Sequence, residues 1–209
     1  MDKQDSKEMY LMPLGIHIEF RLPLQIIVMV TVIIFYLVVK IRKQTFSWRS
    51  CLIQLSFVYY LLKLISVTLF PIYIGLTDAG NIQILPDSNF IPFRSFFNSI
   101  RIGEGLRQNG GNIVMMFPLG FYIPLLRKGF VSFRKAIFTG ILVSASIEGL
   151  QGVENVIFGG MDTRIVDIDD VILNTIGTIL GYGVTRLIYI FLKQFRPKTY
   201  IHEKLNIGD

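Results

Sequence analysis

The stretch DVILNTIGTILGYGVTRLIYIFL, residues 170–192, decides the fold. It is made almost wholly of aliphatic, glycine and aromatic residues, with Asp170 at its head and Arg186 as its one interior charge. At about 1.5 Å of rise per residue, a helix of this length crosses the ~30 Å hydrocarbon core of a bilayer. Arg186 sits near the end and can snorkel to the interface along its own alkyl stem.

The rest of the chain agrees. Of 209 residues 52% are hydrophobic and 17% charged, and the mean hydropathy is +0.53. That is more apolar surface than a water-soluble domain of this size needs to bury. Four further apolar segments follow from the pattern, at about 22–41, 52–71, 112–126 and 136–151. The first opens on Pro23, tolerated where a helix has a spare N–H, and closes on Lys40, Arg42 and Lys43. Its positive charge follows the apolar run and no small-residue cleavage site is evident, so it reads as a span rather than a removable signal peptide. The third carries Pro118, Gly120 and Pro124 and is expected to be kinked or shallowly inserted.

The predicted fold class is therefore an all-α integral membrane protein. It is a bundle of about five transmembrane helices, with an outer-leaflet interfacial helix between the second and third. Residues 1–21 form an N-terminal tail, 22–192 the transmembrane domain and 193–209 a C-terminal tail.

The loops test the count, because cytoplasmic loops collect Lys and Arg. Lys40, Arg42, Lys43 and Arg49 follow segment one, Arg127, Lys128, Arg134 and Lys135 follow segment three, and Lys193, Arg196, Lys198 and Lys204 follow segment five. The alternate connections hold Asp78, Asp87 and Glu104, and then Glu154, Asp162, Asp167, Asp169 and Asp170. The alternation predicts an external N-terminus and a cytoplasmic C-terminus. It also accounts for the formal charge of +6 as topology, with no nucleic-acid partner implied. The single cysteine, Cys51, excludes an intramolecular disulfide and multi-cysteine metal sites, and His17 and His202 lie in opposite tails, so no cysteine- or histidine-based metal site is expected; a divalent cation on paired carboxylates stays open, as does any cofactor.

Polar groups in hydrocarbon are costly, so their positions point to function. Ser144, Glu148 and Gln151 share one helical face, as do Asp170, Asn174, Gly177 and Gly181, with Asp167 one turn earlier. With Asn112 at the head of segment three, these groups are expected to meet in one outward-facing pocket. Against that, Asp167 or Asp170 could simply cap a helix, and Gly177-x-x-x-Gly181 suits close helix packing better than ligand binding. Lys63 and Glu148 lie at matching depths and are expected to form a buried ion pair. In the connection of about forty residues after segment two, Phe90, Phe93, Phe97 and Ile100 recur at helical spacing with Arg94 and Arg101 beside them. This reads as an interfacial helix with Pro92 in its first turn, its arginines available to phosphate or carboxylate groups, or equally as a lid packed over the bundle.

Four motifs in order complete the pattern: Asn89-x-Ile91-Pro92-Phe93; Asn112 with Phe117-Pro118-Leu119-Gly120 and Pro124; Glu148-x-x-Gln151; and Arg164-x-x-Asp167-x-x-Asp170-x-x-x-Asn174-x-x-Gly177. Over roughly residues 60–192 they resemble the VanZ-like family of bacterial membrane proteins. The resemblance implies a bacterial plasma-membrane protein, linked in some members to resistance to teicoplanin and related lipoglycopeptides, with no accepted catalytic residues. Motif and topology together nominate Asn89, Arg94, Asn112, Glu148, Gln151, Arg164, Asp167, Asp170 and Asn174 as ligand-binding residues. The partners are then membrane lipids and, as candidate ligands, a lipid-linked cell-wall precursor or a lipoglycopeptide. The competing reading is an enzyme acting on a lipid headgroup or cell-wall precursor, with Glu148 and Asp170 as acid and base and Arg164 holding a phosphate. A transporter is disfavoured, because no inverted repeat is visible and five helices are few.

Overall fold

The computed structural model describes residues 15–42, 47–75, 88–102, 105–126, 132–157 and 166–194. In chain order the elements are β1 (Gly15–Ile18), α1 (Leu22–Arg42), α2 (Trp48–Thr68), β2 (Ile72–Gly75), α3 (Arg94–Ile102), α4 (Gly105–Leu126), α5 (Phe133–Ile157) and α6 (Ile168–Gln194). The architecture is helical, and α1, α2, α5 and α6 are long and apolar enough to cross a membrane. Among the described residues one short two-stranded ribbon accompanies the helices. β1 and β2 pair antiparallel, Ile18 opposite Ile72, which holds the entry to α1 beside the exit from α2.

The fifth expected span is the exception that organises the rest. Helix α4 is 22 residues long and runs unbroken through Pro118 and Pro124, but it is not among the four apolar helices. It begins at Gly105, seven residues before Asn112, and those added turns bring in Arg107, Gln108 and Asn109. Despite this polarity α4 packs against α2, α3, α5 and α6. Its seam with α6 is the tightest in the protein. A Cβ on Gly177 would collide with the Ile113 carbonyl, one on Gly181 with the Phe117 carbonyl, and one on Gly120 with the Thr178 carbonyl. Backbone lies directly against backbone, as small residues allow in helix pairs that cannot draw on a hydrophobic driving force within lipid.

Leu64, Met116, Leu119 and Ile147 form the buried apolar core, flanked by Phe57, Tyr60, Leu61, Met115, Ile123 and Val143. Tyr60 on α2 donates to the Met115 carbonyl (3.1 Å), and Thr185 on α6 donates to that of Phe121 (3.0 Å), so α4 is bonded from both sides. Helix α1 stands apart. Ile26, Ile27, Val30, Ile34, Phe35 and Val38 are all exposed, as a lipid-facing surface should be, and its tie to α2 is the buried Gln25, whose amide donates to Ser66 Oγ (3.0 Å).

Candidate functional site

The costly polar residues collect at one end of the bundle, where α4 starts, α5 ends and α6 starts. The head of α6 is fixed first. Asn89 N donates to the Val166 carbonyl (2.9 Å) and Ile168 N to the Asn89 carbonyl (3.0 Å), a single parallel bridge that joins two segments far apart in sequence. The Asn89 amide then donates to Asp167 Oδ1 (2.8 Å) and to Ser95 Oγ (2.9 Å).

Asp167 also caps α6, since its Oδ1 accepts from Asp169 N (2.9 Å). Its own N–H donates to Glu148 Oε2 (3.0 Å), which latches α5 to the head of α6. Asp169 does the same for α3. Its carboxylate accepts from the N–H groups of Phe93 (2.5 Å), Ser95 (2.8 Å) and Phe96 (3.0 Å), three donors that a helix N-terminus leaves without intrahelical partners. A distant carboxylate thus does the work of an N-cap. Phe93, at φ 67°, is in the left-handed region and cannot join the helix. Pro92 therefore lies before α3 and not in its first turn as expected.

The remaining groups line the seam between α4, α5 and α6. Asp170 Oδ1 accepts from the Asn112 amide (2.5 Å), and the Asn174 amide donates to Ser144 Oγ (2.9 Å), one turn below Asp170 on α6 and one turn below Glu148 on α5. Glu148 lies within electrostatic range of both Asp170 and Asp167. Asp170 and Asn112 are partly exposed at the mouth, while Glu148, Ser144 and Asn174 are buried at 5%, 0% and 1% exposure beneath them.

Other expected members go elsewhere. Gln151 donates to the Thr68 carbonyl (2.8 Å) at the end of α2 and so pins α5 to α2. Helix α5 continues past it to Ile157. The Arg94 side chain is exposed and joins no acid of the cluster. Arg164 lies outside the described residues.

Lys63 and Glu148 form no ion pair. Matching depth was not enough, because their side chains leave their helices in different directions: the Lys63 ammonium lies 5.8 Å from the centre of the Tyr59 ring and Glu148 turns to Asp167 N. Asp169 was absent from the expected set because it falls off the face shared by Asp170 and Asn174. Its three donors come from a segment more than seventy residues away, so the available signal was only its place in the first turn of a helix.

Beside the cluster, against Val166, a cavity of about 360 Å³ is lined by Ser88, Gly149, Gly152, Val153, Val156 and Ile157. Gly149 faces open space, so the hollow exists because α5 has no side chain there. The family model for VanZ/LLP1 matches residues 57–191, which takes in every residue of this site.

The chain belongs to the VanZ/LLP1 family.

The VanZ/LLP1 region begins within α2 and ends within α6. It includes the bridge, the three-helix seam and the apolar cavity, and leaves out α1. No curated protein and no solved structure matches the chain.

Proposed function

We propose that this VanZ/LLP1 protein binds an amphiphilic envelope molecule, with its polar part at the Asp170–Asn112 mouth and its apolar chain in the α5 cavity. The observation that carries this reading is adjacency: Asp167 N is bonded to Glu148 while the neighbouring Val166 side chain lines the cavity, so a polar site and an apolar one share a wall. A cavity of this size lies within the ~300–1,000 Å³ usual for small-molecule sites.

Membership of the VanZ/LLP1 family supports a bacterial plasma-membrane setting, and the Lys and Arg alternation supports an orientation with this end of the bundle outside, the N-terminus external and the C-terminus cytoplasmic. Helix α3, whose Phe97 and Ile100 are exposed together with Phe90, Ile91 and Phe93 just before it, then rests in the outer leaflet. The candidate ligands in that leaflet are lipids, lipid-linked cell-wall precursors and lipoglycopeptides. Binding the last two or shielding them connects this site to the teicoplanin resistance associated with VanZ-like proteins.

The test is mass spectrometry of molecules that copurify with wild type and with Gly149→Leu, which fills the cavity, alongside lipoglycopeptide susceptibility of the same cells. Loss of a specific amphiphile and of any resistance in the variant supports the proposal. An envelope molecule chemically altered by wild type but not by Glu148→Gln would instead favour an enzyme using Glu148 and Asp170 as acid and base. Identical copurifying molecules and identical susceptibility would sink the binding site.

A further inference from the structure

The seam holds an excess of hydrogen-bond acceptors. Glu148, Asp167 and Asp170 each spend one oxygen on a protein donor, through Oε2, Oδ1 and Oδ1 respectively, and keep the other without one among the described residues. No lysine or arginine among those residues pairs with them. Beneath them is Asn174, 1% exposed, whose Nδ2 is committed to Ser144 across the α5–α6 gap and whose Oδ1 is buried with no partner. An orphaned buried amide oxygen is costly unless something donates to it. It is held between the same two helix faces that carry Glu148 and Asp170, one turn below both.

A ligand for such a place must bring hydrogens and positive charge and needs no acceptor. A phosphate or carboxylate would meet only repulsion. A divalent metal fits poorly, since among the described residues no three acidic, histidine or cysteine side chains converge as a metal set, and oxygen ligands must close to about 2.0–2.6 Å around such an ion. A primary ammonium asks for less. It carries three donors, is satisfied at about 2.7–2.9 Å, and tolerates acceptors that surround it unevenly.

We propose that the seam between α4, α5 and α6 receives the primary ammonium group of an amphiphile, held by Glu148, Asp170 and the orphaned Asn174 oxygen, with the attached chain in the Gly149–Gly152 cavity. This rests on the amphiphile reading above and specifies its headgroup.

The test uses the full-length protein in nanodiscs of phosphatidylglycerol, a lipid without an amine, and measures binding of dodecylammonium, N-acetyl-dodecylamine, dodecyltrimethylammonium and Mg²⁺. Wild type should bind dodecylammonium at least tenfold more tightly than either chain-matched control, the factor about one lost charge-assisted hydrogen bond carries. That preference should disappear in Asp170→Asn and in Asn174→Leu, each checked for folding by its thermal transition. If one variant fails to fold, Glu148→Gln takes its place. Gly149→Leu should weaken all three chain probes by the same factor and keep dodecylammonium the preferred one.

Equal binding of the three chain probes, abolished by Gly149→Leu, would overturn the ammonium assignment and leave the amphiphile reading standing. Binding of none of them would overturn both. Saturable Mg²⁺ binding lost in Asp170→Asn, with no preference for dodecylammonium, would make the site one for an inorganic cation and equally overturn the proposal.

Discussion

Replacing Gly181 by alanine should destabilise the protein, whereas the same change two residues along, at Gly183, should stabilise it. A Cβ at Gly181 would collide with the Phe117 carbonyl and with the Phe121 amide nitrogen, which are backbone atoms that cannot rotate away. The α4–α6 seam must open locally. A gap of about 0.5–1 Å forfeits a quarter to a half of each ~0.1–0.2 kcal/mol atom contact, so some tens of contacts lose about 2–4 kcal/mol together. Alanine returns about 1 kcal/mol of helix propensity. The net loss is about 1–3 kcal/mol, the usual range for an overpacked interface. At Gly183 nothing lies within 4 Å, so only the propensity gain of up to about 1 kcal/mol remains. Reversible unfolding of the purified protein by SDS titration in mixed micelles reads both numbers from one assay. If the two substitutions shift the midpoint in the same direction by similar amounts, the claim that α4 and α6 meet through backbone is wrong.

Asp169→Ala removes the acceptor for three amides at the start of α3, and hydrogen exchange at residues 93–97 should rise at least tenfold, about 1.4 kcal/mol or more, while exchange in α4 and α6 stays unchanged. Asn89→Ala should cost about 1–3 kcal/mol, because Asp167 Oδ1 and Ser95 Oγ lose the Asn89 amide as donor; an unfolding midpoint equal to wild type would show that this side-chain link between the two segments is dispensable. In a double-mutant cycle, Lys63→Met and Glu148→Gln should be additive within about 0.5 kcal/mol, since a real buried pair would couple by about 3–5 kcal/mol on loss of one partner. In a Cys51→Ser background, a cysteine at exposed Phe97 should react with a membrane-impermeant maleimide in intact cells, and one at exposed Phe133 only after permeabilisation; the reverse pattern would invert the topology.

The helices that lipid selects were the legible ones. Segments 22–41, 52–71, 136–151 and 170–192 emerge as α1, α2, α5 and α6 because a bilayer rewards uninterrupted apolar length. Their ends were less clear, since α5 continues to Ile157 through residues whose polarity resembles a loop. Helix α4 was half visible. Its early turns are hidden by Gly105, Arg107, Gln108 and Asn109, whose polarity resembles a loop, while the packing of α4 on α3 and α6 is something that composition does not record. In the site, periodicity located Glu148, Asp170 and Asn174 on facing helices. It could not foresee Gln151 turning to Thr68, nor the Asn89–Asp167 bridge and the Asp169 cap, because those contacts depend on where distant chain segments meet. Depth along a helix suggested a Lys63–Glu148 pair, but depth is one coordinate and contact needs three.

The polarity of α4 bears on how the protein is made. Each of the four apolar helices is long and apolar enough to partition into lipid by itself, whereas α4 packs its backbone against the Gly177–Gly181 face of α6, which is synthesised after it. Insertion is then expected to depart from chain order, with α4 settling only once α6 has been made. A nascent chain halted after α5 would leave α4 stranded, its glycosylation-mapping pattern differing from that of the finished protein, so quality control of this protein can act on one late event.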